Sequence, residues 1–153
     1  MAKPASLPLI FIGDNGLAGA GLDPLALAWA TANGFTGQRG RLLAVPDGQG
    51  GVSAQLFGTG AQNDRPLLVA GLAGAQLAAG QYRLEGDYGD PTLAALAFNL
   101  GVYRFTRYRS GQSAPTLLAP TKADPAEIAR LTAAAYLARD LINTAPNDLG
   151  PDA

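Results

Sequence analysis

Apolar residues in this chain fall into two rhythms. Short runs rich in branched and aromatic side chains occupy residues 8–12, 41–45, 52–57, 66–70, 103–108 and 116–118. Runs of that length and composition predict β-strands. Between them lie Ala/Leu-rich stretches with helical spacing, and three of these begin at an Asp-Pro pair: Asp23-Pro24, Asp90-Pro91 and Asp124-Pro125. Aspartate caps the free N–H groups of a first helical turn, and proline suits the first helical position because its missing N–H has no intrahelical partner there. After the third pair, Glu127 stands at the capping-box spacing, and Ile128, Leu131, Ala135 and Leu141 lie near one face. The pattern predicts a long helix over about 125–143. A further short helix is expected over 72–79, closed by Gly80, and the glycines around 46–51 predict a hairpin.

Strands alternating with helices specify an α/β fold, a mixed sheet flanked by helices, without fixing the strand order. At 153 residues with 48% hydrophobic content, one domain with one ordinary core is expected. There is no internal repeat or low-complexity linker. Composition changes only after the long helix, where Pro146, Gly150 and Pro151 break helical structure. The chain divides at 143, with 144–153 as the start of a connection.

Charge narrows the function classes. Only 15% of residues are charged and the net is −1, so no overall field draws the chain to nucleic acid or an anionic membrane. The chain contains no cysteine and no histidine. Disulfides, thiolate metal sites and Ser-His-Asp or Cys-His catalysis are therefore excluded, leaving carboxylate chemistry alone. The longest apolar runs are far short of the ~20 residues of a membrane helix, and the start MAKPASLP lacks the apolar core of a signal peptide. A cytoplasmic location is expected.

Four local features are candidates for special roles. The loop from Gly13 to Gly19 follows a strand, yet fits neither a GxGxxG fingerprint nor a P-loop, and reads as a turn. Arg104, Arg107 and Arg109 alternate with Tyr103, Phe105 and Tyr108 as in a half-buried strand, although such residues can also hold single-stranded nucleic acid. Glu85, Asp87 and Asp90 suggest a carboxylate metal site less strongly than a loop leading into a helix cap. Trp29 is expected in the core, and Asp140 on the solvated side of the long helix.

Residues 139–151, RDLINTAPNDLGP, closely resemble the junction of the leucyl (cytosol) aminopeptidase family, where a long helix ending R-x-L-[IV]-N-T-P-x-N leads into the catalytic domain. YRFTRY at 103–108, after the helix carrying residues 94–100, and LLAVP at 42–46 resemble the same family's N-terminal domain. The likeness runs from about residue 40 to the end. Ala145 stands where the family usually has proline directly after the threonine. The family's metal-binding and catalytic signatures match nothing in this chain, so catalytic, cofactor-binding and metal residues are all expected to be none. The resemblance implies a macro-domain-like accessory domain of residues 1–143, joined by its long helix to a C-terminal peptidase domain. That domain would hold two divalent ions, manganese or zinc, and cleave N-terminal amino acids from peptides as a hexamer. By that reading the chain alone catalyses nothing, and its role is positioning, assembly or access control. The competing reading is a free-standing macro-like module that binds ADP-ribose or a nucleotide. A nucleic-acid module is the weaker third, given the near-neutral charge.

Overall fold

The computed structural model describes residues 6–108, 113–145 and 148. Five strands form one sheet: β1 (Leu7–Gly13), β2 (Leu42–Pro46), β3 (Val52–Gly60), β4 (Gly80–Gly86) and β5 (Pro115–Leu117). Their order is β2-β3-β1-β4-β5, with β2 antiparallel to β3 and every other pairing parallel. The helices are α1 (Pro24–Ala32), α2 (Ala70–Gln76), α3 (Pro91–Val102) and α4 (Pro125–Asn143). None is long and apolar enough to cross a membrane.

β1 is central because it is apolar on both faces, as a strand paired on both edges and covered on both sides must be. Its alternation divides the core in two. Leu9 and Phe11 join Phe57, Tyr82, Leu84 and Phe98 on the side covered by α2 and α3. Ile12 joins Leu56, Val45, Phe35, Ala26 and Ala30 on the side covered by α1. α2 and α3 meet backbone to backbone: a Cβ on Gly101 would lie 1.9 Å from the Gly71 carbonyl oxygen, and one on Gly74 would lie 2.4 Å from that of Phe98.

All three Asp-Pro helix starts are present. Asp23 Oδ1 accepts from Ala26 N–H at 2.8 Å, Asp90 Oδ1 from Leu93 N–H at 2.8 Å, and Asp124 Oδ1 from Ala126 and Glu127 N–H at 3.0 and 3.1 Å. Asp124→Ala removes both hydrogen bonds and leaves Pro125 in place. It is expected to cost about 1 kcal/mol, read as a modest fall in melting temperature with the fold intact.

Two expected strands are not strands. Residues 66–70 form tight turns leading into α2, with Val69 N–H donating to Pro66 and Gly71 N–H to Leu68. A short apolar run cannot by itself distinguish strand from helix entry, and here Val69 and Ala70 point inward while Leu67 and Leu68 stay exposed. Residues 103–108 leave α3 as irregular backbone, because their side chains close the end of that helix instead of pairing in the sheet. The fourth strand, β4, lies in a stretch not marked as a strand. The short helix begins at Ala70 and not at 72, and Gly80 opens β4.

Trp29 is not a core residue. It is 39% exposed, and its Nε1 donates to the Ala44 carbonyl at 2.9 Å, an acceptor on the sheet's edge strand β2. An indole carries a donor that a dry core leaves unpaired, so the edge of a sheet is a better place for it.

Candidate functional site

Two features stand out: the helix that ends the domain, and a cleft at one end of the sheet. α4 packs on α3 through a stripe at helical spacing, with Ile128 buried and Leu131, Thr132, Ala135, Tyr136 and Arg139 half-buried. The reason it docks there is a shortage of partners at the end of α3, whose last carbonyls have none within the helix. Tyr136 Oη donates to Asn99 O, Arg139 Nη1 to Leu100 O at 2.8 Å, and Arg104 Nη1 to Gly101 O at 3.0 Å. Two arginines at a helix C-terminus also match the negative end of its dipole.

The aromatic and basic residues of 103–108 complete this joint. Tyr103 packs edge-on against Tyr136 at 5.1 Å, lies under the Arg139 guanidinium at 5.1 Å, and donates to Asp140 Oδ1 at 2.7 Å. Burial and the neighbouring carboxylate raise the Tyr103 pKa, so the phenol stays protonated as a donor. Tyr108 Oη accepts from Ala145 N–H at 2.8 Å and donates to Asp148. Asp140, expected on the solvated side of the helix, is thus also an acceptor in the joint. Arg104 points at main-chain carbonyls, Ala75 O included, and not at a strand face. Arg109 lies outside the described residues, as do Pro146, Asn147 and residues 149–153 of the junction.

The outer face of α4 is different. Leu137 and Leu141 are 62% and 51% exposed there, and Ile142, at the last turn beyond the docked stripe, is 82% exposed. Leu141, grouped in the sequence with the inward positions, faces out, because thirteen residues at 100° each carry it well past the Ile128 face.

A family model for the M17 aminopeptidase N-terminal domain matches residues 13–120, more than half of the chain. The chain belongs to that family. The M17 domain is also similar to a cytosol aminopeptidase from Coxiella burnetii, solved at 1.8 Å, with TM-score 0.80 and 26% identity over 99% of this chain and 34% of that one. The bottromycin maturation enzyme BotP, solved with and without Mn, shares the fold at TM-score 0.66 and 22% identity, over 97% of this chain and 34–35% of BotP. The chain therefore spans about a third of the length of these structures. No curated protein matches it.

The three carboxylates that suggest a metal site, Glu85, Asp87 and Asp90, are each already engaged. Asp87 is paired with Arg65 at 2.6 Å, Glu85 with Arg83 at 2.7 Å, and Asp90 caps α3. Among the described residues no three His, Cys, Asp or Glu side chains converge. Asp87 is held below the usual carboxylate range by the Arg65 hydrogen bond.

The Gly13–Gly19 loop is a turn in which four amides donate inward. Asp14 N–H donates to Gly60, Asn15 N–H to Thr36, Gly16 N–H to Gly13 and Gly19 N–H to Gly16. Those N–H groups are not available to a phosphate, which a phosphate-cradling loop requires. Beside the loop lies a cleft of about 630 Å³ formed at the C-terminal ends of β1, β3 and β4.

Proposed function

We propose that this chain is the non-catalytic N-terminal domain of a metal-dependent aminopeptidase, and that it acts by positioning a C-terminal peptidase domain through α4. The observation that carries the proposal is the two-sided character of that helix. Its inner face is fixed to α3 by Tyr136 and Arg139, while Leu137 and Leu141 stand in solvent on the other and Ile142 stands in solvent at its last turn, past the docked stripe. Apolar groups gathered on an otherwise docked helix mark a protein contact. Family membership gives that contact a partner of the right kind, the catalytic domain of the same polypeptide.

On this reading the peptidase domain supplies all the chemistry. Two divalent ions, manganese or zinc, would activate water there for attack on the first peptide bond of a substrate. The whole protein would be cytoplasmic and assemble as a hexamer through its peptidase domains, with this domain setting their spacing or access. Support for placing no step on this chain comes from the missing histidine and cysteine and from carboxylates already engaged as caps and ion pairs.

Replacing Leu141 and Ile142 together with aspartate separates docking from folding. In the 153-residue chain both side chains are exposed, so the only cost is the two carboxylates opposing the dipole at the end of α4, and the stability change should stay within about 2 kcal/mol with the fold intact. In the full-length protein the same pair buries two charges in the interdomain contact, and turnover of leucine p-nitroanilide should fall at least tenfold, equivalent to about 1.4 kcal/mol. Unchanged turnover with both charges present would contradict the proposal.

A further inference from the structure

We propose that the cleft at the C-terminal ends of β1, β3 and β4 binds a small primary amine, a single ammonium group on a short apolar body. The inference stands on the cleft alone and does not depend on the peptidase reading.

The cleft has the position that open α/β sheets favour for ligands. From β1 the chain crosses to one side of the sheet through α1, and from β4 it crosses to the other through α3. Neighbouring parallel strands whose connections depart in opposite directions leave a crevice beyond their C-terminal ends. Here that crevice measures about 630 Å³, within the range of small-molecule sites. Glycines keep it open. Gly13, Gly16, Gly60 and Gly86 line it, and a Cβ placed on Gly19 would meet nothing within 4 Å. Gly86 is fixed as glycine by a φ of +78° and by the Phe11 carbonyl oxygen, 2.4 Å from where its Cβ would be.

Its chemistry is that of an acceptor. Asp14 and Asp87 both line it, Gln62 adds a carboxamide, and no arginine or lysine is among its lining residues. Arg65, whose side chain is only 12% exposed, is engaged by Asp87, with Nη2 on Oδ2 at 2.6 Å and Nη1 on the main-chain oxygen at 3.1 Å. Asp87 keeps a second carboxylate oxygen for a ligand. The amides of Asp14, Asn15, Gly16 and Gly19 donate internally and do not offset the charge of an anion. A nucleotide would bring its phosphate against the carboxylate of Asp14, unpaired among the described residues, and an Asp87 whose own charge Arg65 already balances, and is disfavoured. An ammonium group supplies donors and opposite charge together, and Phe11, Ile12 and Ala20 offer apolar surface for a short hydrocarbon body.

Titration of the isotope-labelled 153-residue chain with 3-methylbutylamine, followed by amide NMR, tests the proposal. Saturable shifts are expected at Gly13, Gly16, Gly60 and Gly86. 3-Methylbutanol, which keeps the body and loses the charge, should bind at least about tenfold more weakly. Asp14→Asn, at an exposed position, should weaken the amine about tenfold without changing thermal stability. Gly19→Leu, which has room for its side chain, should block binding while leaving the fold intact. The proposal is overturned if the amine gives no saturable shift, if the alcohol binds equally well, or if adenosine monophosphate binds more tightly than the amine.

Discussion

Gly101→Ala is expected to lower the stability of the chain by about 3 kcal/mol or more, a drop of roughly 10 °C in melting temperature for a domain of this size. The added methyl has nowhere to go. Its nearest neighbours are the oxygen, carbonyl carbon and Cα of Gly71, at 1.9, 2.7 and 2.8 Å, all backbone atoms that no rotamer change can move. α2 and α3 would have to separate, opening the core that Ala73, Ala97 and Phe98 close. Helix propensity points the other way, since alanine is favoured over glycine by about 1 kcal/mol in a helix interior. The sign of the measured change therefore decides between local preference and packing. Thermal or urea unfolding reads it directly, and a stabilised variant would mean that α2 and α3 do not approach this closely.

Arg139→Ala is expected to cost about 2 kcal/mol, the scale of a charged hydrogen bond lost from a half-buried site. The damage should be local. Leu100 O loses its donor at the end of α3, and Tyr103 loses the cation over its ring. Amide hydrogen exchange should accelerate in the second half of α4 and leave β1 and β3 protected. Lysine at the same position keeps the charge and loses the planar fork, so partial recovery is expected. Equal protection in the alanine variant would mean that α4 is held by its apolar stripe alone.

What could be read from the sequence was what short segments determine by themselves. The Asp-Pro caps are complete within four residues, and the hairpin before β3 closes on Asp47 Oδ1, which accepts from Gln49 and Gly51 N–H. The hydrogen bond from Gln49 and then that from Gly51 lower the Asp47 pKa. β1 and β3 are apolar enough to be recognised as strands from composition. β4 was harder, because only Tyr82 and Leu84 are buried in GQYRLEG and the polar residues between them conceal the alternation. That period of two was the available signal.

The α4 joint was legible as a family resemblance but not as physics. Nothing local shows that Arg104, Tyr136 and Arg139 converge on the end of α3, since the residues span 36 positions and their acceptors are main-chain oxygens. The same gap explains 103–108. Alternating aromatics and arginines satisfy a strand pattern, but Arg104 turns to the helix-end carbonyls of Gly101 and Ala75 and Tyr103 to Asp140 on α4, which a strand would not allow. Trp29 departs from expectation for a related reason, because its area suggests a core position while its Nε1 requires an acceptor. The cleft depends on strand order, which the sequence did not fix.

The central claim is that this domain positions a peptidase and performs no peptidase chemistry. Incubating the rigorously purified 153-residue chain with leucine p-nitroanilide and excess manganese tests it most directly. The account predicts no release of p-nitroaniline above the buffer rate at any manganese concentration. Sustained hydrolysis that follows the chain through purification and stops on addition of a chelator would contradict it.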